Sequence, residues 1–104
     1  MILIDPPQWW HRERWWGHLV SDVSVDELHA FADGLGVPRR GFDRDHYDIP
    51  AHLHPAAVEA GAVLVSSKEL VTRLSAAGLR RPKHLHGAPR AEVTASVAES
   101  VPET

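Results

Sequence analysis

The sequence contains no cysteine, which excludes disulfides, cysteine-ligated zinc sites and thiol nucleophiles from its 104 residues. Its apolar runs are also much shorter than the roughly 20 residues that a membrane-spanning helix needs. The apolar run at residues 1–4 stops at Asp5-Pro6-Pro7, too soon for the hydrophobic region of a signal peptide. We therefore expect no membrane association and a cytoplasmic protein of bacterial type.

A surplus of basic residues is missing as well. Lysine plus arginine (11) against aspartate plus glutamate (14) gives a net charge of −3, which argues against a generally basic nucleic-acid binder but not against a local basic patch. Neither a glycine-rich phosphate loop nor a G-x-S-x-G nucleophile elbow is present. What the sequence has in excess is eight histidines, and four tryptophans that all lie within residues 9–16.

The hydrophobic pattern predicts short strands alternating with helices. Apolar runs predict strands at residues 2–4, 18–21, 46–49 and 62–65, of which the last is the clearest buried strand. Capping boxes and terminal glycines predict helices at residues 24–36 and 66–78, and a proline start predicts a short helix at 55–61. Residues 8–17 are predicted as an aromatic and charged loop.

This alternation predicts a small single α/β domain at residues 1–79, with three to four short, mostly parallel strands and two to three helices. From Arg80 onward the chain has prolines, small residues and few large apolar ones, so residues 80–104 are predicted as a loose, flexible tail. In a parallel sheet, functional groups gather outside the carboxyl ends of the strands. Polar residues near those ends are therefore the candidates for a site.

Carboxylates and imidazoles near the strand ends form the first candidate site. Such groups bind a divalent metal or act as general base and orienting acid. The candidate catalytic residues are His18, Asp22, His46 and Asp48, and Asp5 and His29 join them as candidate metal ligands. A structural alternative stays open, in which Asp22 belongs to a turn, His18 begins a strand and Asp48 pairs with an arginine.

The tryptophan-rich segment forms the second candidate site. Aromatic rings interleaved with arginines stack on nucleobases and contact phosphates, and they also dominate protein–protein hot spots. The candidate substrate- or partner-binding residues are Trp9, Trp10, Arg12, Arg14, Trp15, Trp16 and Tyr47. In the alternative, the rings cover a small core. The pairs His52/His54 and His84/His86 lie outside the predicted strands and are interpreted as incidental.

Several segments together resemble one family of short bacterial and phage proteins, the domain-of-unknown-function 4031 family. The resemblance covers about residues 1–79 and rests on the opening strand with Asp5, on HLVSD at 18–22, ELHAFA at 27–32, LG at 35–36, HYDI at 46–49 and AVEAGA at 57–62. It implies that His18, Asp22, His29, His46, Tyr47 and Asp48 belong to one shared pattern, and it implies no particular activity. The chain departs from the family pattern at residues 51–54, where AHLH stands in place of an expected basic residue.

Three functions are compatible with these patterns. The first is a small hydrolase with a His/Asp site, with or without a divalent metal, that acts on a phosphorylated or nucleotide-like substrate attracted by Arg12, Arg14, Arg39 and Arg40. The second is a non-enzymatic module whose Trp/Arg segment engages a protein, a nucleic acid or a second copy of the chain. The third is an accessory protein without chemistry of its own, for which the sequence offers no positive feature.

Overall fold

The structure, a computed structural model, describes residues 1–82 of the chain. This part contains six strands: β1 (Ile2–Ile4), β2 (Trp9–His11), β3 (Arg14–Ser21), β4 (Phe42–Asp43), β5 (His46–Pro50) and β6 (Val63–Leu64). Its three α-helices are α1 (Val25–Leu35), α2 (His54–Glu59) and α3 (Ser67–Ala76), and two 3-10 turns cover Arg39–Gly41 and Ala51–Leu53. His84, His86 and most of the predicted tail lie outside the described residues.

The six strands form one sheet in the order β4-β5-β3-β1-β6, with β2 paired to the first half of β3. Every pairing is antiparallel except that of β1 with β6. The small α/β domain is confirmed, but the prediction of a mostly parallel sheet is wrong. The reason is that the chain leaves α1 into β4, which runs parallel to β3, and the turn at residues 44–45 then reverses it, so that β5 fits between β4 and β3 and is antiparallel to both.

The aromatic segment that was predicted as a loop is a β-hairpin. β2 and β3 pair in the register Trp9 to Trp16, Trp10 to Trp15 and His11 to Arg14. The two turn residues, Arg12 and Glu13, have φ values of 52° and 61°. Positive φ at both positions gives the turn a twist that matches the strands, a conformation usually taken by Asn-Gly. Arg-Glu carries no such signal, so the sequence did not indicate the hairpin.

The caps of the two long helices are confirmed. The Ser24 hydroxyl accepts a hydrogen bond from the Glu27 amide, and the Ser66 hydroxyl accepts one from the Glu69 amide, both at 3.0 Å. Each bond satisfies a backbone donor that the first turn of a helix leaves free. At the other end of α1, Gly36 adopts a left-handed conformation with φ of 79°.

The sheet is covered on both faces. On one face Leu19, Tyr47 and Ile49 pack with Leu28 of α1 and Ala57 of α2, and all five are buried. On the other face α3 covers a smaller cluster, made of Leu3, Val20, Leu70 and Leu74. None of the helices in residues 1–82 is long and apolar enough to span a membrane.

The apolar run at residues 62–65 is not the buried strand that its composition predicts. β6 lies at an edge of the sheet, and Val63 and Leu64 are 39% and 54% exposed. A continuous apolar run is typical of a strand with neighbours on every side, whereas β6 has only β1 beside it.

Candidate functional site

His18, His46 and Asp48 come together on neighbouring strands. Within the β3–β5 pair His18 lies directly opposite Asp48, and His46 shares a face with Asp48 because it lies two residues away. One ligand atom from each of the three residues lies within 4.8 Å of the other two. Two imidazoles and one carboxylate at this spacing suit a single divalent transition metal with open positions for water or substrate.

A buried carboxylate stands behind each of the two histidines. The Nδ1 atom of His18 lies 3.0 Å from Asp5 Oδ2, and the Nδ1 atom of His46 lies 2.8 Å from Asp45 Oδ1. Both aspartate side chains are only 1% exposed. Carboxylates at Nδ1 orient metal-binding histidines and leave Nε2 as the ligand atom. Asp45 was not among the predicted site residues, because its only signal in the sequence is its position directly before His46.

Asp5 is a partner of a candidate ligand rather than a member of the trio. Besides the His18 ring, it accepts hydrogen bonds from the His18 amide at 2.6 Å and from the Ser67 hydroxyl at 2.7 Å. The Nε2 atom of His54 also lies 3.0 Å from the Asp5 carbonyl oxygen. Burial raises the pKa of Asp5, but its hydrogen bonds with His18 and Ser67 outweigh burial, so the net shift is downward.

Asp45 connects the site to the chain that follows α3. Its Oδ2 atom accepts hydrogen bonds from the Arg80 guanidinium at 3.1 Å and from the Arg81 amide at 2.6 Å. Burial raises the pKa of Asp45, and the bonds from His46, Arg81 and Arg80 outweigh it and lower the pKa. The domain boundary at residue 79 stays a prediction, but Arg80 and Arg81 contact the site.

His46 bridges two carboxylates. Its Nδ1 atom faces Asp45, and its Nε2 atom lies 3.1 Å from Asp48 Oδ1. Burial lowers the pKa of His46, but the hydrogen bonds to Asp45 and Asp48 outweigh burial and raise it to about 9. For Asp48, burial raises the pKa, and the His46 bond more than reverses that effect. A proton and a metal ion would therefore compete for Nε2 of His46.

The structure does not bring Asp22, His29 or Tyr47 to the trio. Because β1 and β3 are antiparallel, the carboxyl end of β3 lies away from Asp5, and there Asp22 pairs with Arg73 and with the Met1 amine, both at 2.9 Å. The Nδ1 atom of His29 lies 2.6 Å from the hydroxyl of Tyr47, which is fully buried. The parallel-sheet prediction had placed Asp22 at the same edge of the sheet as Asp5.

A cleft of about 730 Å³ opens beside the trio and is lined by His18 and Asp48. Its other polar and aromatic lining includes Trp9, His11, Arg12, Arg14, Trp16 and Arg40, and His52 also borders it. Within residues 1–82, none of the three arginines forms a salt bridge. Three guanidinium groups without carboxylate partners make this cleft attractive to an anion. Arg39 does not line it.

The hairpin divides the tryptophans between two faces. Trp9 and Trp16 line the cleft, whereas Trp10 and Trp15 alternate with them and point to the opposite side. Trp10 and Trp15 are 60% and 48% exposed, and their ring centroids lie 5.1 Å apart. The predicted tryptophan-rich site is thus two separate surfaces.

Comparison with known proteins gives a family but no activity. A family model described as a protein of unknown function (DUF4031) matches residues 2–77. No curated protein and no solved structure matches the chain. The matched range contains the trio, the hairpin and both buried carboxylates.

Proposed function

The chain belongs to the DUF4031 family of proteins of unknown function, and from its own residues we propose that it is a divalent-metal-dependent hydrolase of phosphorylated substrates. The observation that carries the proposal is the convergence of His18, His46 and Asp48, two of which (His18 and Asp48) line a cleft together with three arginines that form no salt bridge within residues 1–82. A further support is that each histidine has a buried carboxylate at Nδ1.

Different residues of the chain would have different roles in such a reaction. His18, His46 and Asp48 would hold the metal, and Asp5 and Asp45 would keep the two imidazoles oriented. A bound divalent ion supplies a water of lowered pKa and polarises the phosphoryl oxygen. In hydrolysis, the water oxygen bonds to phosphorus, the phosphorus–oxygen ester bond breaks, and the leaving oxygen takes up the proton that the water releases.

The arginines would bind the phosphate. Arg12 and Arg14 come from the turn and second strand of the hairpin, and Arg40 comes from the 3-10 turn after α1. Guanidinium groups recognise phosphate oxygens in a bidentate manner and stabilise negative charge that develops during phosphoryl transfer. This arrangement supports a phosphorylated substrate over a neutral one.

A metal titration tests the site. Zinc or manganese added to chelator-treated protein should raise the melting temperature, and His46→Ala should abolish the increase. His52→Ala is the matched control, because His52 also borders the cleft but is not one of the trio. An equal metal response in wild type and His46→Ala would contradict the proposal.

An activity assay tests the reaction. The metal-loaded protein should hydrolyse p-nitrophenyl phosphate or its bis-ester, the rate should fall to background in His46→Ala, and Arg40→Ala should lower kcat/KM by about 10-fold or more. Metal binding without hydrolysis of either ester would support the metal site but refute the hydrolase activity.

A second candidate function is supported by the back of the hairpin. We propose, as the alternative, a binding surface for a protein partner or a second copy of the chain at Trp10 and Trp15. Their exposure and their mutual contact are typical of an interface hot spot. Light scattering would show a dimer that the double variant Trp10→Ala/Trp15→Ala dissociates, and a monomer at all concentrations would refute self-association.

A further inference from the structure

Trp9 stands directly beside the candidate metal site. The centroid of its ring lies 5.2 Å from that of His18, and the two rings meet at 65°. At this angle His18 does not lie flat over the indole. Trp9 is also 49% exposed and lines the cleft. It therefore offers a free aromatic surface at the side of the metal site.

Trp16 does not offer the same surface. Its Nε1 atom donates a hydrogen bond to the His11 carbonyl at 2.8 Å, and the Arg14 guanidinium lies 5.8 Å from its ring centroid. This contact is a cation–π interaction that holds the arginine in place. Trp16 is thus part of the hairpin's own packing, and Trp9 is the ring left for a ligand.

The cleft combines three kinds of recognition within a limited volume. It has His18 and Asp48 of the trio for a metal, the arginines for phosphate, and Trp9 for a planar group. A volume of about 730 Å³ lies in the range of small-molecule sites, which is roughly 300–1,000 Å³. A nucleoside phosphate carries both a phosphate and a planar base and is of suitable size.

Resting on the proposed function, we propose that the substrate is a nucleoside phosphate whose base stacks on Trp9 while its phosphate lies among the arginines and the metal site. The protein's net charge of −3 favours a free nucleotide over a long polyanionic strand, since a strand would meet repulsion beyond the cleft. Stacking of one base on an aromatic side chain corresponds to about 5- to 150-fold in affinity.

Calorimetric titration of the full chain tests the stacking. The probes are adenosine 5′-monophosphate, ribose 5-phosphate and inorganic phosphate, each titrated in zinc and again in EDTA, where no hydrolysis is expected. The adenine nucleotide should bind at least about 5-fold more tightly than ribose 5-phosphate, and this ratio should persist in EDTA because the base does not contact the metal.

Three variants at two neighbouring tryptophans make the test specific. Trp9→Ala should bring the nucleotide to the affinity of ribose 5-phosphate, and Trp9→Phe should restore part of the difference. Trp10→Ala is the matched control, because Trp10 belongs to the same strand but points away from the cleft. It should leave the ratio unchanged, and melting curves should show that all three variants are folded.

The outcomes separate the two proposals. Equal affinities for the nucleotide and ribose 5-phosphate, no binding of any probe, or an equal loss in Trp9→Ala and Trp10→Ala would overturn base stacking. If the protein prefers the nucleotide through Trp9 but hydrolyses no ester, the hydrolase activity would be refuted and the nucleotide-binding site would be supported. A short oligodeoxyadenylate that binds much more tightly than the mononucleotide would show that the natural ligand is a nucleic-acid strand, and it would overturn the free nucleotide as the substrate.

Discussion

At the scale of single residues, the candidate site depends on two carboxylates that face no solvent. Asp5 and Asp45 each contact the Nδ1 atom of one histidine and are satisfied by further donors on their other sides. Buried charges are tolerated only with such partners. The orientation of His18 and His46 is therefore built into the packing of the domain and does not depend on a ligand.

We expect Asp45→Asn to weaken zinc binding by about 10- to 100-fold, because a neutral amide orients His46 less firmly and makes it a poorer ligand. A competition titration with a zinc indicator measures the effect. Asp43→Asn is the control, since Asp43 lies two residues away, is about half exposed and pairs only with Arg44 among the described residues. Equal affinities for the two variants would show that Asp45 does not support the metal site.

Gly17→Ala should destabilise the fold by about 1–3 kcal/mol. A Cβ atom at Gly17 would lie 2.7 Å from the carbonyl oxygen of Asp5, and backbone has to move to admit it. Gly34 in α1 provides the contrast, because a Cβ atom there meets nothing within 4 Å. Gly34→Ala should stabilise by up to about 1 kcal/mol through helix propensity. Denaturant unfolding of both variants gives the comparison, and a neutral Gly17→Ala would disprove the close approach.

At the scale of secondary-structure elements, the sequence predicted those with strong local signals. Ser24 and Ser66 mark helix starts because the cap is made by residues three apart, so the chemistry is visible locally. The hairpin was missed because Arg12-Glu13 lacks a turn signal. The edge position of β6 was missed because Val63 and Leu64 reveal hydrophobicity but not which strands lie beside them.

The segment after α3 is an element that the site uses. We expect Arg81→Pro to lower the melting temperature and weaken zinc binding, because proline removes the amide that donates to Asp45 at 2.6 Å. Arg81→Ala keeps this amide and loses only exposed side-chain contacts to the Gly78 and Arg80 carbonyls. It should behave nearly as wild type. Identical behaviour of both variants would mean that the amide does not hold Asp45.

At the scale of the whole molecule, stability should depend on the protonation of His46. Its pKa is raised from 6.5 to about 9 in the folded protein, so the protonated form favours the fold. That contribution is complete below pH 6.5 and is lost as the pH rises through about 9. Metal-free protein in EDTA should therefore melt at progressively lower temperature across this range.

His46→Gln isolates this effect from other groups that titrate in the same range. The difference in melting temperature between wild type and His46→Gln should shrink as the pH rises from 6.5 to 9. A difference that stays constant across this range would show that His46 gains no stabilising proton on folding.

The candidate site was predictable in part, and the limits have a physical cause. His46 and Asp48 were placed on one face correctly because a strand alternates with period two. Asp22 was grouped with them on the assumption of parallel strands, and antiparallel pairing moves it away. Asp45 was not visible because its role depends on long-range contacts to Arg80 and Arg81. Local periodicity predicts which residues share a face of a strand, but the pairing of strands far apart in sequence determines which of those residues come together.

The single parallel pairing has a consequence for how the domain assembles during synthesis. β1 lies between β3 and β6, so this strand, which is synthesised before the other five, cannot complete its place in the sheet until residues 63 and 64 have been synthesised. Ser67, which donates to the Asp5 carboxylate, follows only three residues later. A nascent chain therefore carries His18 and His46 well before the partners of Asp5 are complete. The candidate metal site is expected to mature last, after the chain has left the ribosome as far as Arg81, whose amide donates to Asp45.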